Sequence, residues 1–488
     1  MKKTSFHVLL FLVVASMILA SCQPAATQAP TVPPVQPTVP PVQPTAPPST
    51  PAGPTAVPTA TIAPADPNAV KISFWHSMAG DIGGKAIPQM ANDFNGSQKQ
   101  CHVTPIYQGS YDDSLNKLKA GLQGKDIPAV VQLFDIGTRQ MVDLKVITPV
   151  QNYIDKEKYD ISDLETNVLA YYTVDGKMQS MPFNSSNPML YYNVDLFKAA
   201  GLDPANPPRT FDEVAAAARK LTQKDGSKTS VYGVNFAIYG WFFEQFLAVS
   251  GDYYVDANNG RDGIPTKATF NGPAGVKIMD WWKSMYDEGI LGNTGRKTVD
   301  SRNSFIAGQA AMIIESTATL RGILDGVKGK FEVGTAFLPR PDEAAFQKAG
   351  TVIGGASLWI LNGRPQAEQD CAWEFIKFQS SAKEQSYWQT MTGYYPIRKA
   401  AYNEQLTKDW IAKYPVFKTA VDQLHAAPNN RYTNGGLIGV FPVARATIEG
   451  SIEEILAGKL STQDSLNKAA DTITQAIQEY NLTMGLKP

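Results

Sequence analysis

The side chains that could carry out chemistry are few in this sequence and lie far apart. Of its four histidines, the three beyond the first twenty residues are His76, His102 and His425, and their spacing fits no metal-ligand motif. The patterns His-Glu-x-x-His, Gly-x-Ser-x-Gly and Gly-x-x-x-x-Gly-Lys, which mark zinc proteases, serine hydrolases and phosphate loops, do not occur. We therefore expect no catalytic residue, no metal and no cofactor.

Polar and aromatic residues are concentrated instead in turn-like segments between apolar stretches. These segments are residues 74–78, 109–111, 183–188, 240–241, 353–357 and 392–397. Each is weak evidence alone, because Gly, Asn, Ser and Pro are also ordinary turn residues. Their spread along the chain predicts a binding site that is assembled between two lobes.

The elements that position these segments begin with an alternating strand at 70–75. Residues 103–107 and the apolar run 129–134 predict two further strands, and helical spacing of apolar residues predicts a helix in each gap between them. Ser110 can cap the second helix, with Asp113 at its third position. Strand and helix alternate as in a doubly wound α/β fold, whose ligands bind at the carboxyl ends of the strands.

The N-terminus predicts export and anchoring. Lys2 and Lys3 precede an apolar run over residues 8–20, which is too short to span about 30 Å of hydrocarbon. The run ends in Leu-Ala-Ser before Cys22, which resembles a bacterial lipobox, so we expect a signal peptide over 1–21 and a lipid such as palmitate on Cys22. An ordinary secretion signal with an incidental cysteine is the alternative.

Residues 22–69 form a proline-rich linker. They hold 15 of the 34 prolines of the chain and include two near-copies of Pro-Pro-Val-Gln-Pro-Thr. This composition predicts an extended spacer, or a glycosylated stalk with the same mechanical role. The protein is then expected at the extracytoplasmic face of the cell membrane.

Residues 70–488 have the length and composition of a two-lobed globular protein. The formal net charge of −1 argues against binding to nucleic acid, which needs a clustered basic surface. Besides Cys22 only Cys101 and Cys371 remain, and the sequence is compatible both with a disulfide and with two free buried thiols.

Four segments carry a family resemblance when they are taken together. Residues 73–78, 182–186, 353–359 and 392–394 resemble, in the same order, the family-1 extracellular solute-binding proteins of ABC importers, and within them the subfamily that binds glycerol 3-phosphate. The resemblance covers nearly all of residues 70–488. It implies a bilobal α/β periplasmic-binding fold that closes on its ligand, with lobe 1 formed by 70–182 and 312–357 and lobe 2 by 183–311 and 358–488. It also implies a monomer whose partners are a phosphorylated polyol and the importer's permease subunits.

The resemblance further implies which residues bind the ligand. Arg445 would supply a permanent charge and a planar fork of donors to phosphate oxygens. Gly355 would bring its backbone N–H close to the ligand, and Ser316 would stand at a helix start. The full set that the resemblance implies is Tyr111, Asp135, Ser186, Trp241, Ser316, Gly355, Tyr394 and Arg445.

Two departures from the family pattern affect the expected specificity. Asp135 stands where the family has a glutamate, and Ile238 stands where it has the first of two tryptophans that bracket a glycine, so that only Trp241 remains. A shorter carboxylate and a missing ring would enlarge the pocket. We therefore expect a glycerophosphodiester such as glycerophosphocholine to bind as well as glycerol 3-phosphate, or better.

Two other functions remain open on the sequence alone. An oligosaccharide could use aromatic platforms drawn from Trp75, Trp281, Trp282 and Trp359, but a buried Arg445 facing a neutral sugar would be an unpaired charge unless a carboxylate joined it. A secreted carbohydrate-active enzyme would need two carboxylates about 5–10 Å apart in a cleft. The acidic pairs at 112–113 and 453–454 fit a helix first turn and a solvated face better than that role.

Overall fold

The structure, a computed structural model, describes residues 61–124 and 126–487. The predicted signal peptide, Cys22 and residues 23–60 of the expected linker lie outside the described residues. The end of that linker is described: Asn92 accepts a hydrogen bond from the Ala63 N–H at 3.0 Å and donates one to the Thr61 carbonyl at 3.1 Å. In the described part of the chain, no helix is both long enough and apolar enough to cross a bilayer.

The described residues contain fifteen strands and nineteen α-helices. In chain order, the strands are β1 (Val70–His76), β2 (Cys101–Tyr107), β3 (Val130–Phe134), β4 (Ile147–Thr148), β5 (Thr173–Val174), β6 (Lys177–Met178), β7 (Met181–Ser186), β8 (Pro188–Asn193), β9 (Gln223–Asp225), β10 (Lys228–Val231), β11 (Val234–Asn235), β12 (Leu291–Gly292), β13 (Met312–Ser316), β14 (Val333–Phe337) and β15 (Gly354–Leu361). The helices are α1 (Ala86–Ser97), α2 (Tyr111–Gly124), α3 (Thr138–Leu144), α4 (Val150–Glu157), α5 (Thr166–Tyr172), α6 (Val194–Ala199), α7 (Phe211–Leu221), α8 (Gly240–Val249), α9 (Asp256–Gly260), α10 (Pro273–Asp287), α11 (Thr298–Ile306), α12 (Leu320–Val327), α13 (Ala345–Lys348), α14 (Gln366–Gln379), α15 (Ala382–Met391), α16 (Gln405–Lys413), α17 (Lys418–Ala426), α18 (Phe441–Leu456) and α19 (Thr462–Met484).

The first sheet confirms the predicted doubly wound start. Its strand order is β2-β1-β3-β15-β4, with β7 also paired to β15. The strands β2, β1 and β3 are parallel, because α1 and α2 carry the chain back across the sheet between them. β15 enters antiparallel between β3 and β7, so that its residues Ala356 and Gly354 face Phe134 and Ser186.

The second sheet has the strand order β12-β11-β13-β8-β14. β8 follows directly on β7, and the single residue Asn187 between them carries the chain from one sheet to the other. The core beside this sheet is aromatic: the rings of Phe211 and Trp281 stack with centroids 4.2 Å apart, and Trp282 is 1% exposed. Each sheet organises one lobe of an α/β protein.

The sheets correct the expected chain boundaries of the lobes. Residues 312–337 were expected in lobe 1, but β13 and β14 pair with β8 in the second sheet. β15 lies wholly in the first sheet although its residues from 358 onward were expected in lobe 2, and α14 packs against β1 there. No local pattern indicates these pairings, because they join antiparallel strands that are far apart in the chain.

Local signals at the carboxyl end of β2 are confirmed. The Asp113 N–H donates to Ser110 Oγ at 3.2 Å, while the Ser110 N–H donates to Asp113 Oδ2 at 2.9 Å. These reciprocal bonds satisfy two donors at the start of α2 in the manner of a capping box. The cap fixes the first turn of α2, and with it the position of Tyr111.

Cys101 and Cys371 form a disulfide, which decides between the two states that the sequence left open. The bond joins β2 to α14 across a sequence separation of 270 residues. Both cysteines are buried, with 6% and 5% of their surface exposed. The disulfide therefore ties the late helix α14 to the early strands of the first lobe.

Candidate functional site

A buried ion cluster lies where the two lobes meet. Arg445, in the first turns of α18, donates to Glu244 Oε2 through Nε at 3.1 Å and through Nη2 at 2.8 Å. Nη2 also donates to Asp135 Oδ2 at 3.0 Å. Asp135 stands directly after β3 in the first lobe, whereas Glu244 lies on α8 in the second. The guanidinium thus joins a carboxylate of each lobe.

Burial governs the ionisation of this cluster. It raises the pKa of Glu244 to about 7 and raises that of Asp135 above its ordinary value, although Arg445 acts in the opposite direction on both. Burial also opposes the charge on Arg445, but Glu244 and Asp135 together raise its pKa well above the usual range. The cation is permanent, and the two carboxyl groups hold their protons more tightly than exposed ones do.

A second cation stands behind the cluster. Arg261 donates from Nε to the Gly435 carbonyl and from Nη1 to the Tyr171 carbonyl, each at 2.9 Å, and from Nη2 to the Asn434 carbonyl. Its positive charge opposes the rise in the pKa of Glu244 that burial causes. Arg261 therefore adds a second positive charge that favours the ionised form of Glu244.

Tyr111 and Tyr394, two residues implied by the resemblance, are brought together with Asn184. Asn184 Nδ2 donates to the Tyr111 hydroxyl at 2.8 Å, and the Asn184 carboxamide oxygen accepts from Gln132 Nε2 at 2.7 Å. Tyr394 lies close enough to Tyr111 to affect its pKa, which burial raises well above the ordinary value. The group forms a polar, hydroxyl-bearing patch in the first lobe.

Two aromatic residues flank Gly240 beside Ile238. Ile238 and Trp241 are both buried, with 4% and 5% of their surface exposed, and belong to the same core. Tyr239 is the half-buried neighbour of Arg445, and burial raises its pKa to about 12. Tyr239 and Trp241 lie on either side of Gly240 with ring centroids 6.2 Å apart.

Gly354 and Gly355 allow close packing at the start of β15. A Cβ on Gly354 would lie 2.5 Å from the ring of Trp241, so the absence of a side chain lets this tryptophan lie against the strand. Gly355 has a φ of +97°, and a Cβ there would lie 1.8 Å from the Asn184 carbonyl oxygen. Gly355 is needed for the contact between β15 and β7, which is a structural role beside the ligand contact expected for it.

The two serines that the resemblance implies both lie at the ends of strands. Ser186 ends β7 and is paired with Gly354. Ser316 ends β13, and its Oγ accepts from the Ala318 N–H at 3.2 Å, which confirms the expected helix start. The Ser316 N–H is already taken by Glu315 Oε1 at 2.7 Å. Within residues 61–124 and 126–487, no hydrogen bond joins Arg445 to Ser186, Ser316 or Tyr394.

Sequence reasoning missed Glu244, which is the strongest partner of Arg445. The signal was present, because Glu244 and Gln245 are the polar residues of α8, and every residue of that helix is buried. A charged residue is almost never fully buried unless it is paired. An acidic residue within an apolar helix therefore predicts a buried cation elsewhere in the chain.

Three buried side-chain atoms on α8 lack a partner among the described residues, and one of them is Gln245 Nε2. Trp241 Nε1 and Glu244 Oε1 make no hydrogen bond within the described residues. Buried polar atoms in native proteins are nearly always hydrogen-bonded, so such exceptions point to a bound ligand or to water. The site can thus offer a donor, an acceptor and a paired guanidinium to a small polar molecule.

A metal site and a site built on stacked sugars find little support in the described residues. No group of three or more His, Cys, Asp or Glu side chains there could hold a metal ion. A cavity of about 700 Å³ lies in the second lobe beside Phe197 and Phe337, away from Arg445. Three tryptophans considered as sugar platforms, Trp281, Trp282 and Trp359, are at most 7% exposed and belong to the core.

The buried carboxyl group beside Ser316 predicts a pH effect on stability. Burial raises the pKa of Glu315 from 4.5 to about 7, so the folded protein keeps a proton that the unfolded chain releases between these values. This contribution to stability is complete below pH 4.5 and is lost as the pH rises through 7. We expect Glu315→Gln to gain about 2–3 kcal/mol relative to the original protein between pH 5 and pH 8. Urea denaturation at both pH values measures the free energy of unfolding of the two proteins. If the difference between them is the same at pH 5 and at pH 8, the prediction is contradicted.

Known proteins share this fold and much of this sequence. Residues 89–419 match the family model described as bacterial extracellular solute-binding protein. The sn-glycerol-3-phosphate-binding periplasmic protein UgpB of Escherichia coli strain K12 is 33% identical over 414 residues, which are 84% of this chain and 93% of that protein.

Two solved structures are similar in fold. UgpB from Mycobacterium tuberculosis in complex with glycerophosphocholine has a TM-score of 0.72 and 24% identity, and the match covers 85% of this chain and 100% of that one. The cyclic α-maltosyl-1,6-maltose binding protein from Arthrobacter globiformis has a TM-score of 0.68 and 24% identity, with coverages of 84% and 100%.

Proposed function

Because this chain belongs to the bacterial extracellular solute-binding proteins, we propose that it captures a glycerophosphodiester such as glycerophosphocholine, or glycerol 3-phosphate, for uptake. The protein is a solute-binding component of an ABC importer, acts outside the cytoplasm and is not an enzyme. Its partners are a small molecule and the importer's membrane subunits. The lipid on Cys22, the tether after it and the monomeric state belong to this proposal.

The buried guanidinium of Arg445 carries the proposal. Nε and Nη2 are held by Glu244 and Asp135, while Nη1 bonds to none of the described residues. A guanidinium with a donor to spare suits a phosphate oxygen, and the paired carboxylates hold it in place. UgpB of Escherichia coli binds glycerol 3-phosphate and UgpB of Mycobacterium tuberculosis binds glycerophosphocholine, and both ligands belong to this class.

Charge balance favours a zwitterionic diester over a monoester. Asp135 and Glu244 already offset part of the charge of Arg445, so an added phosphate monoester, with a charge of about −1.5 to −2 at pH 7, would leave more buried negative charge than a diester. A diester carries one negative charge, and in glycerophosphocholine the choline group cancels it. The preference thus has a basis in charge as well as in the larger pocket expected from Asp135 and Ile238.

Isothermal titration calorimetry with glycerophosphocholine, glycerol 3-phosphate and maltose tests this function. We expect glycerophosphocholine to bind about tenfold more tightly than glycerol 3-phosphate at pH 7, for the charge reason above. Maltose should give no heat. Binding of maltose without binding of either phosphate ester would overturn the proposal.

An oligosaccharide is the second candidate, and one observation favours it. Asp135 and Glu244 pair with Arg445, so a neutral ligand would leave no unpaired cation. The objection that an unpaired arginine raises against a sugar therefore disappears. Arg445→Ala cannot separate the two functions, because it disturbs the carboxylates whichever ligand binds. The burial of Trp281, Trp282 and Trp359 still argues against a site built on stacked sugars.

A further inference from the structure

Glu244 uses only one of its two carboxylate oxygens within the protein. Oε2 accepts both hydrogen bonds from Arg445, while Oε1 is buried and has no partner among the described residues. Leaving a buried charged acceptor unpaired costs more than leaving a neutral one. A partner for Oε1 is therefore expected in the functional state of the protein.

The same helix offers an unpartnered donor one turn earlier. Trp241 Nε1 is buried without a partner, and Trp241 and Glu244 are three residues apart on α8. Residues with this spacing are neighbours on one face of a helix. Gln245, four residues after Trp241, adds a second unpartnered donor through its Nε2. The face of α8 that meets Arg445 therefore presents two free donors and one free acceptor, and Trp241 is the donor one turn before Glu244.

The chemistry of Trp241 Nε1 and Glu244 Oε1 identifies the group that would satisfy them. A phosphodiester oxygen carries no hydrogen, so it can accept from Trp241 Nε1 but cannot donate to Oε1 of an ionised Glu244, the form that prevails above pH 7. A trimethylammonium group has no N–H to donate. A hydroxyl group both donates and accepts, and it fits both atoms at once.

We propose that Glu244 is a specificity-determining residue that accepts a hydrogen bond from a hydroxyl group at the glycerol end of the ligand, with Trp241 as the donor to the same hydroxyl. The inference rests on the proposed function and adds a second carboxylate to Asp135, which the resemblance implied. Glu244 then selects ligands that keep a free glycerol hydroxyl beside the phosphate.

This role is tested by measuring how ligand analogues bind to the original protein and to its variants. The probes are glycerophosphocholine and its two analogues that each lack one glycerol hydroxyl. For one analogue we expect the original protein to lose about 10- to 100-fold in affinity, as for a hydrogen bond to a charged group. In Glu244→Gln the loss for that analogue should fall below about fivefold, since only a neutral acceptor remains.

Glu449→Gln is the matched control. Glu449 is a half-buried carboxylate on α18 that accepts from the Gly240 N–H at 3.1 Å, and it has no part in the proposed contact. We expect this variant to bind the deoxygenated analogue as much more weakly than glycerophosphocholine as the original protein does. If Glu244→Gln loses as much affinity for the analogue as the original protein does, the inference is overturned. If the original protein does not bind glycerophosphocholine, the proposed function is overturned instead.

A second variant guards against misfolding of Glu244→Gln. Trp241→Phe keeps an aromatic ring but removes Nε1, so it should also reduce the loss for the same analogue, by about three- to tenfold for a neutral hydrogen bond. Circular dichroism establishes that each variant is folded. If a folded Trp241→Phe variant loses as much affinity for the analogue as the original protein does, the hydroxyl does not contact this face of α8. That result would contradict the proposal.

Discussion

Replacing Arg445 with alanine is expected to lower the free energy of unfolding by about 3–5 kcal/mol, the scale for removing one partner of a buried ion pair. The variant leaves Asp135 and Glu244 buried without the cation that joins them. Their side chains are at most 4% exposed, so water cannot replace the lost interaction. Urea denaturation at pH 8, above the pKa of Glu244 in the original protein, measures the loss.

Arg296 provides the control, because it also pairs with two carboxylates but does so at the surface. It bonds to Glu449 and Glu453, and 43% of its side chain is exposed. Surface ion pairs contribute about 0–1 kcal/mol, so Arg296→Ala should change stability by less than about 1 kcal/mol. Equal effects of the two substitutions would show that burial does not strengthen the Arg445 cluster.

Loss of the disulfide is the second large effect we expect. Changing Cys101 and Cys371 to serine together should lower the free energy of unfolding by about 2–5 kcal/mol, because the bond restrains a long loop in the unfolded chain. That loop spans a sequence separation of 270 residues. Urea denaturation of the oxidised protein and of the double variant gives the difference.

Dithiothreitol supplies the control for this prediction. It should bring the original protein to the stability of the double variant and leave the variant itself unchanged. A reductant effect on the variant would mean that the reagent acts elsewhere. Equal stability of the oxidised protein and the variant would contradict an important role for the bond.

Local signals predicted the start of the fold well. The alternating strands, the Ser110 and Asp113 cap and the parallel order of β1, β2 and β3 depend on residues that are near one another in sequence. The lobe boundaries depend on β15, which lies between β3 and β7 although 219 residues separate Phe134 and Gly354 along the chain. Antiparallel pairing over such a span leaves no local pattern, which is why the boundaries were wrong.

Some residues of the candidate site were predictable, because their positions follow from the order of strands and helices. Asp135 lies at the carboxyl end of β3, as a doubly wound fold requires, and Tyr111 begins the helix that follows β2. The pairing of Arg445 with Glu244 was not predictable in this way, because the choice of ionic partner is made by tertiary packing. The position of Tyr239 beside Arg445 likewise depends on where α8 begins, which periodicity alone locates only within a few residues.

The discontinuous lobes bear on how the protein is made. The first sheet lacks its central strand β15 until residue 361 has been synthesised, and the second lobe lacks α18 and α19 until the chain is nearly complete. Lobes fold as units, so neither can become compact early in synthesis. A chain arranged in this way stays open while it emerges from the ribosome, which suits passage through a narrow secretion channel before folding on the far side.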